Sequence, residues 1–216
     1  KKVHSVPPCL FINKYLTKEI KIMTDAVTIG KAFEECGSDK HKHGYHVYYE
    51  SIFDNEIDSI LEIGIKNGGS HRAWRRLLPQ ARVAGMDINP AELGAGRYNE
   101  LQALKVDCVF GDSTEPTQAN RVSGDFDVII DDGSHFYVDI MATFDNFKNK
   151  FKKYYIIEDL MYDCEGVVDY IKSKGFQNVE VFDSIWKVNV PVNERFLKYG
   201  DVTKAVSYTH LRAHET

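Results

Sequence analysis

The sequence predicts an α/β fold: a doubly wound, mostly parallel sheet with helices on both faces. Three observations carry this. Short, nearly continuous apolar runs such as Val128-Ile129-Ile130 and Tyr154-Tyr155-Ile156-Ile157 mark strands buried on both sides. These runs alternate with longer amphipathic stretches, as parallel crossover units require. Each run stops on a glycine-rich or acidic motif, and open α/β sheets bind ligands beyond the carboxyl ends of their strands.

Composition narrows the class. The 216 residues suit one domain with a sizeable core. A formal net charge of -5 argues against a broad nucleic-acid footprint, which needs clustered basic charge. The four cysteines form no CxxC pair, so zinc and disulfide frameworks are disfavoured and a reducing, cytoplasmic setting is expected. No apolar run is long enough to cross a bilayer, and Pro7-Pro8 interrupts any signal-peptide pattern.

Residues 1–26 are weakly patterned and read as an N-terminal arm; residues 27–205 read as the domain. A helix is expected over residues 27–36, stopped by Gly37. The polar segment from Gly37 to Tyr45 follows, then a helix whose aromatics Tyr45, Tyr48, Tyr49 and Phe53 read first as a core face. Ile60-Leu61-Glu62-Ile63-Gly64 is the first clear strand. It runs through a turn containing Gly68-Gly69-Ser70 into a helix over residues 71–78. Such a turn lets a ligand approach the backbone and offers it unpaired helix N–H groups. Lys66 stands where a dinucleotide fingerprint wants its middle glycine, so an ordinary tight turn is the competing reading.

The second strand, residues 82–87, ends on Asp87. That acid is placed to accept ribose hydroxyls, or to cap the helix starting near Asn89-Pro90. A third strand over residues 103–110 ends at Asp112, which faces an adenine edge or caps a turn. A strand into Asp131-Asp132, a helix over residues 136–151, a strand into Glu158-Asp159, a helix over residues 165–175 and a strand over residues 179–185 complete the pattern. The last strand of such a sheet is not readable. Residues 206–216 lack periodicity and resemble out-of-frame vector sequence, so they are set aside as a non-native tail.

Two neighbouring strands that each end in paired acids would crowd four carboxylates at one rim, roughly 5 Å apart. Like charges this close are costly unless a cation joins them, and hard oxygen donors select Mg²⁺, Ca²⁺ or Mn²⁺. Strand alternation forbids all four from ligating together. Asp132 and Asp159 are the first candidates and Glu158 the next; the remaining acids would cap helices. His135, three residues past Asp132, is placed to take a proton from a metal-bound hydroxyl.

Taken together, Leu61-Glu62-Ile63-Gly64, Gly68-Gly69-Ser70, Gly85-Met86-Asp87, Asp131-Asp132-Gly133-Ser134-His135 and Ile157-Glu158-Asp159-Leu160 resemble class I S-adenosylmethionine-dependent methyltransferases. Within them the sequence is most similar to the metal-dependent sugar O-methyltransferases of macrolide pathways. The lead segment Ser38-Asp39-Lys40 with His43-Gly44-Tyr45 shares that likeness. The resemblance implies a seven-stranded Rossmann-like sheet with one antiparallel strand. It implies Mg²⁺ held by Asp132, Glu158 and Asp159, with His135 as general base. It implies S-adenosylmethionine held by Glu62, Gly64, Gly68, Ser70, Asp87 and Asp112, with Asp131 in the wall and the Lys40–Tyr45 segment closing over it. The expected reaction is methyl transfer to a hydroxyl of a sugar or glycosylated small molecule, with no nucleic-acid or membrane partner and homo-oligomerisation left open. The rival readings are a nicotinamide-dependent oxidoreductase and a non-catalytic binding module of the same fold.

Overall fold

Pairing of the apolar runs sets the architecture. A computed structural model describes residues 28–53, 56–160, 164–176, 178–182 and 208–212. The expected N-terminal arm and the later part of the 179–185 strand lie outside them. The chain runs α1 (Ile29–Glu35), a 3-10 turn (Asp39–His41), α2 (Tyr45–Ile52), β1 (Ser59–Ile63), α3 (Gly69–Leu77), β2 (Arg82–Asp87), α4 (Pro90–Ala103) and β3 (Val106–Phe110). It continues through α5 (Pro116–Ala119), β4 (Phe126–Asp131), α6 (Tyr137–Phe147), β5 (Phe151–Glu158), α7 (Cys164–Ser173), β6 (Val179–Phe182) and β7 (Tyr208–Arg212). No helix among the described residues is long and apolar enough to cross a membrane.

The seven strands lie in the order β3-β2-β1-β4-β5-β7-β6. The pairs from β3 to β5 are parallel; β7 is antiparallel to both β5 and β6. The chain winds outward from β1 to β3, then crosses back to β4. This reversal opens a crevice between β1 and β4, where such sheets bind ligands.

Two bounds are corrected, and residues 208–212, within the stretch set aside as a non-native tail, form β7. Main-chain pairing needs no hydrophobic period, so its absence did not exclude a strand. The third strand starts at Val106, because α4 runs to Ala103 and the chain turns at Lys105 (φ 58°). Helix α6 stops at Phe147, and Phe151 already belongs to β5.

Strand alternation divides the interior. Leu61, Ile63, Ile129, Tyr155 and Ile157 pack with Phe144 and Phe147 of α6 on one face. Ile60, Val128, Ile130 and Ile156 pack with Phe33, Tyr49 and Trp74 on the other. Glu62, Ile130 and Ile156 are level across three strands. Side chains two residues apart share a face. Glu62, Asp132 and Glu158 therefore belong to the α1–α3 face, and Asp131 to the α6 face. On the α1–α3 face Phe33, Tyr49 and Trp74 pack edge to face, with centroids 4.9 to 5.9 Å apart. These rings fix α1 and α2, and with them the 3-10 turn between.

At the opposite end of the sheet, Asp127 Oδ2 accepts the N–H groups of Asp58 and Ser59, while Asp127 N–H donates to Ser59 Oγ at 2.9 Å. This clamp ties β1 to β4 far from the strand ends that bear the motifs. Asp127→Ala should lower folding stability by about 2 kcal/mol, since it strands buried amides. Urea unfolding checks this: the midpoint should fall with no change in slope.

Candidate active site

One cavity of about 490 Å³ occupies the crevice. It is lined by residues 37–40, 63–67, 86–89, 111–114, 131–135 and 158–159, with further residues from α3 and α6. Its size lies within the range of small-molecule and cofactor sites.

The β1–α3 turn forms one wall. Gly64 takes φ 100° and packs so closely under β4 that a Cβ would collide with the Asp132 carbonyl. Only glycine combines that dihedral with that approach. Asp87 holds the same turn: its Oδ2 accepts Ile65 N–H at 2.7 Å and Lys66 N–H at 2.8 Å, and its Oδ1 accepts Asn89 N–H. The helix-cap role falls instead to Asn89, whose side chain accepts Ala91 N–H. Asp112 Oδ1 accepts both the N–H and the hydroxyl of Thr114, forming a local turn at the cavity edge.

Two residues expected at the cofactor stand behind the wall instead. Glu62 is 1% exposed; it accepts the Ser70 hydroxyl and Trp74 Nε1, both at 2.6 Å, and pairs with Lys40 at 3.3 Å. Burial resists its ionisation, yet Lys40, His71 and these hydrogen bonds hold its pKa below the usual range. Gly68 adopts φ 74° at the start of α3, and a Cβ there would press on Leu101 and Leu93. Ser70 does line the cavity, though its hydroxyl is spent on Glu62.

The acid motifs meet at the far wall. Lys40 Nζ donates to Asp132 Oδ2 at 2.7 Å and to Glu158 Oε2, and the lysine side chain is 3% exposed. Glu158 also accepts the Tyr49 hydroxyl. Burial, reinforced by Asp132 and Glu62, drives the Glu158 pKa well up against the pull of Lys40. Asp159, at φ 51°, turns away from the strand direction and accepts the Tyr45 hydroxyl, with His43 Nδ1 3.9 Å away. Burial opposes its charge, but His43, Tyr45 and His135 hold it down at about 2. His135, at φ 62°, brings Nε2 to 3.9 Å from Asp132 Oδ1.

Metal-competent atoms of Asp132, His135 and Asp159 all lie within 4.8 Å of one another, the sole such group among the described residues. Oxygen donors with one imidazole suit a hard or borderline divalent cation. Of the expected set of Asp132, Glu158 and Asp159, two stand together here with His135, while Glu158 accepts from Lys40 and Tyr49. Sequence reasoning missed the bond from Lys40 to the acids and took Tyr45 and Tyr49 first as core. They are buried, yet their hydroxyls reach Asp159 and Glu158. The shared parity of Glu62, Asp132 and Glu158 was the available signal, because three carboxylates on one face call for a cation.

No family model matches the sequence. The chain is 33% identical over 127 residues to L-olivosyl-oleandolide 3-O-methyltransferase of Streptomyces antibioticus, covering 53% of this chain and 31% of that protein. It is 28% identical over 183 residues to 8-demethyl-8-(2-methoxy-alpha-L-rhamnosyl)-tetracenomycin-C 3'-O-methyltransferase of Streptomyces olivaceus, covering 74% of this chain and 45% of that one. The chain spans less than half the length of these relatives. Among solved structures, the MycE methyltransferase of the mycinamycin pathway, in complex with Mg, SAH and mycinamycin VI, superposes with a TM-score of 0.53 at 23% identity. That match covers 65% of this chain and 39% of MycE.

The chain has the class I methyltransferase fold.

The N-methyltransferase NodS of Bradyrhizobium japonicum WM9 shares this fold over 85% of the chain and 97% of its own length, at 14% identity and a TM-score of 0.55. Among the described residues, one buried carboxylate oxygen at this cavity has no hydrogen-bond partner. Asp131 Oδ2 is buried without a hydrogen bond, and Oδ1 accepts only Gly133 N–H at 3.3 Å. Burial pushes the Asp131 pKa from 3.8 up to about 7. Across that window the folded chain keeps a proton that the unfolded chain has released, so stability falls as pH rises from about 4 to about 7 and levels off above that. Asp131→Asn removes this dependence. Its stability relative to wild type should improve by about 2 kcal/mol between pH 5 and pH 8, read by urea unfolding in EDTA.

Proposed function

We propose that the chain is the catalytic domain of an S-adenosylmethionine-dependent O-methyltransferase. It acts on a hydroxyl of a sugar or glycosylated small molecule, with help from Mg²⁺. The observation that carries this is the meeting, in one cavity, of the Gly64 cradle with the cluster of Asp132, His135 and Asp159. The relatives named above are O-methyltransferases, and MycE was solved with Mg and SAH. Against a nicotinamide enzyme stand the turn after β1, which has Lys66 where a dinucleotide fingerprint has its middle glycine, and the paired acids.

The residues fit both groups. Gly64 and Asp87 line the same cavity, and Asp87, already holding the turn after β1, would accept ribose hydroxyls. Bound S-adenosylmethionine supplies a methyl group already activated on a sulfonium. Asp132 and Asp159 would hold the divalent cation, which lowers the pKa of a nearby hydroxyl. Tyr45 orients Asp159, and Lys40 holds Asp132 through Oδ2 before the cation is bound. His135 Nε2 accepts the proton that the acceptor hydroxyl loses. Enclosure by residues 37–45 aligns acceptor and donor, which is where most of the rate arises when the donor is already reactive.

A second reading rests on the same cluster: His135 could serve as the third metal ligand, with Glu158 remaining on Lys40. One variant separates the two. With His135 as base and Glu158 as ligand, His135→Ala keeps Mg²⁺ and S-adenosylhomocysteine affinity in calorimetry while methyl transfer falls by about 10²- to 10⁴-fold. Loss of metal binding in His135→Ala would establish the ligand role instead. Absence of any S-adenosylmethionine or S-adenosylhomocysteine binding to the wild type would sink the methyltransferase reading itself.

A further inference from the structure

We propose that Lys40 is a tethered cation that exchanges with the divalent metal, and that metal uptake expels its ammonium from the acid cluster into the cavity. The inference rests on the metal-assisted reading above and deepens it.

Lys40 Nζ meets three carboxylates, those of Glu62, Asp132 and Glu158. Two of these, Asp132 and Glu158, belong to the ligand set that the sequence implies. The oxygens that accept from Lys40 are Asp132 Oδ2 and Glu158 Oε2. An ammonium and a hard divalent ion want the same donors, and two cations on the same oxygens repel. Glu158 in particular already accepts from Tyr49 as well as Lys40, so a cation at its carboxylate would meet the ammonium at close range.

The carrier of Lys40 is suited to exchange. Asp39–His41 is one 3-10 turn, flanked by Gly37 at φ 73° and Gly44 at φ 78°. Lysine presents its charge on a flexible four-carbon stem, so Nζ can withdraw without moving the sheet. Lys40 and residues 37–39 line the cavity, which gives the departing ammonium a path to water. Glu62 stays behind, fixed by Ser70 and Trp74. The device would keep the acids apart in charge before the metal arrives and would couple metal loading to a change at the cavity wall.

Two measurements test this on the intact chain after EDTA treatment. Mn²⁺ binding, followed by electron paramagnetic resonance, should tighten about tenfold in Lys40→Met, because the internal competitor is gone. In the wild type, acetylation of Lys40 read by mass spectrometry should be slow in EDTA and several-fold faster with saturating Mg²⁺. Unchanged or weaker Mn²⁺ binding in Lys40→Met overturns the exchange, as does a Lys40 that stays protected while Mg²⁺ is demonstrably bound. If Lys40→Met does not fold, the wild-type labelling decides alone. If neither protein binds Mn²⁺, the metal reading falls and the exchange falls with it.

Discussion

One ammonium surrounded by three carboxylates is the interaction on which the ligand end of this molecule depends. Lys40 reaches from a short turn onto the tips of β1, β4 and β5 and meets Glu62, Asp132 and Glu158 there. A buried charge left without a partner is strongly destabilising, and three of one sign on one sheet face are worse. The lysine makes the arrangement tolerable, though with one positive charge it cannot make it neutral. Burial first, and then the neighbouring carboxylates, raise the pKa values of Asp132 and Glu158 against the pull of Lys40. A site that stays short of positive charge after folding is disposed to bind more of it.

The cavity wall divides into parts that face a ligand and parts that hold others in place. Gly64 and the 131–135 segment face inward. Glu62 and Asp87 spend their oxygens on the protein itself: Glu62 locks α3 and Lys40 to β1, and Asp87 locks the turn that follows β1. Both acids were expected at the cofactor from the resemblance. Glu62 lies behind the surface that a cofactor would touch, whereas Asp87 serves the turn and the cavity together. Preorganisation of this kind lets a binding surface keep its shape without the ligand.

Much of the fold was legible because burial on both faces leaves a strong mark. The runs ending at Gly64, Asp87, Asp131 and Glu158 needed no periodicity argument, and their terminal motifs located the crevice. Residues 208–212 were illegible because a strand held by main-chain pairing leaves little trace in side-chain pattern. The acids of the site were legible by type; their partners were not. Lys40 lies 92 residues from Asp132 and 118 from Glu158 in sequence, and only the register of three strands brings them together. Tyr45 and Tyr49 show the same limit from the other side. An aromatic on a helix face signals core, and nothing local announces that its hydroxyl ends on an acid.

The register also says how such a site can change over time. Asp131 and Asp132 differ by one position and serve opposite faces of the sheet, one toward α6 and the other toward Lys40. Deleting or inserting a single residue within β4 would move both acids about 3.3 Å along the strand and turn each to the opposite face, so neither role would survive. Point substitution is therefore the only gradual route open to these strands. Length variation is confined to the connections beyond them, where new loops can reshape acceptor recognition while the acid pair keeps its handedness.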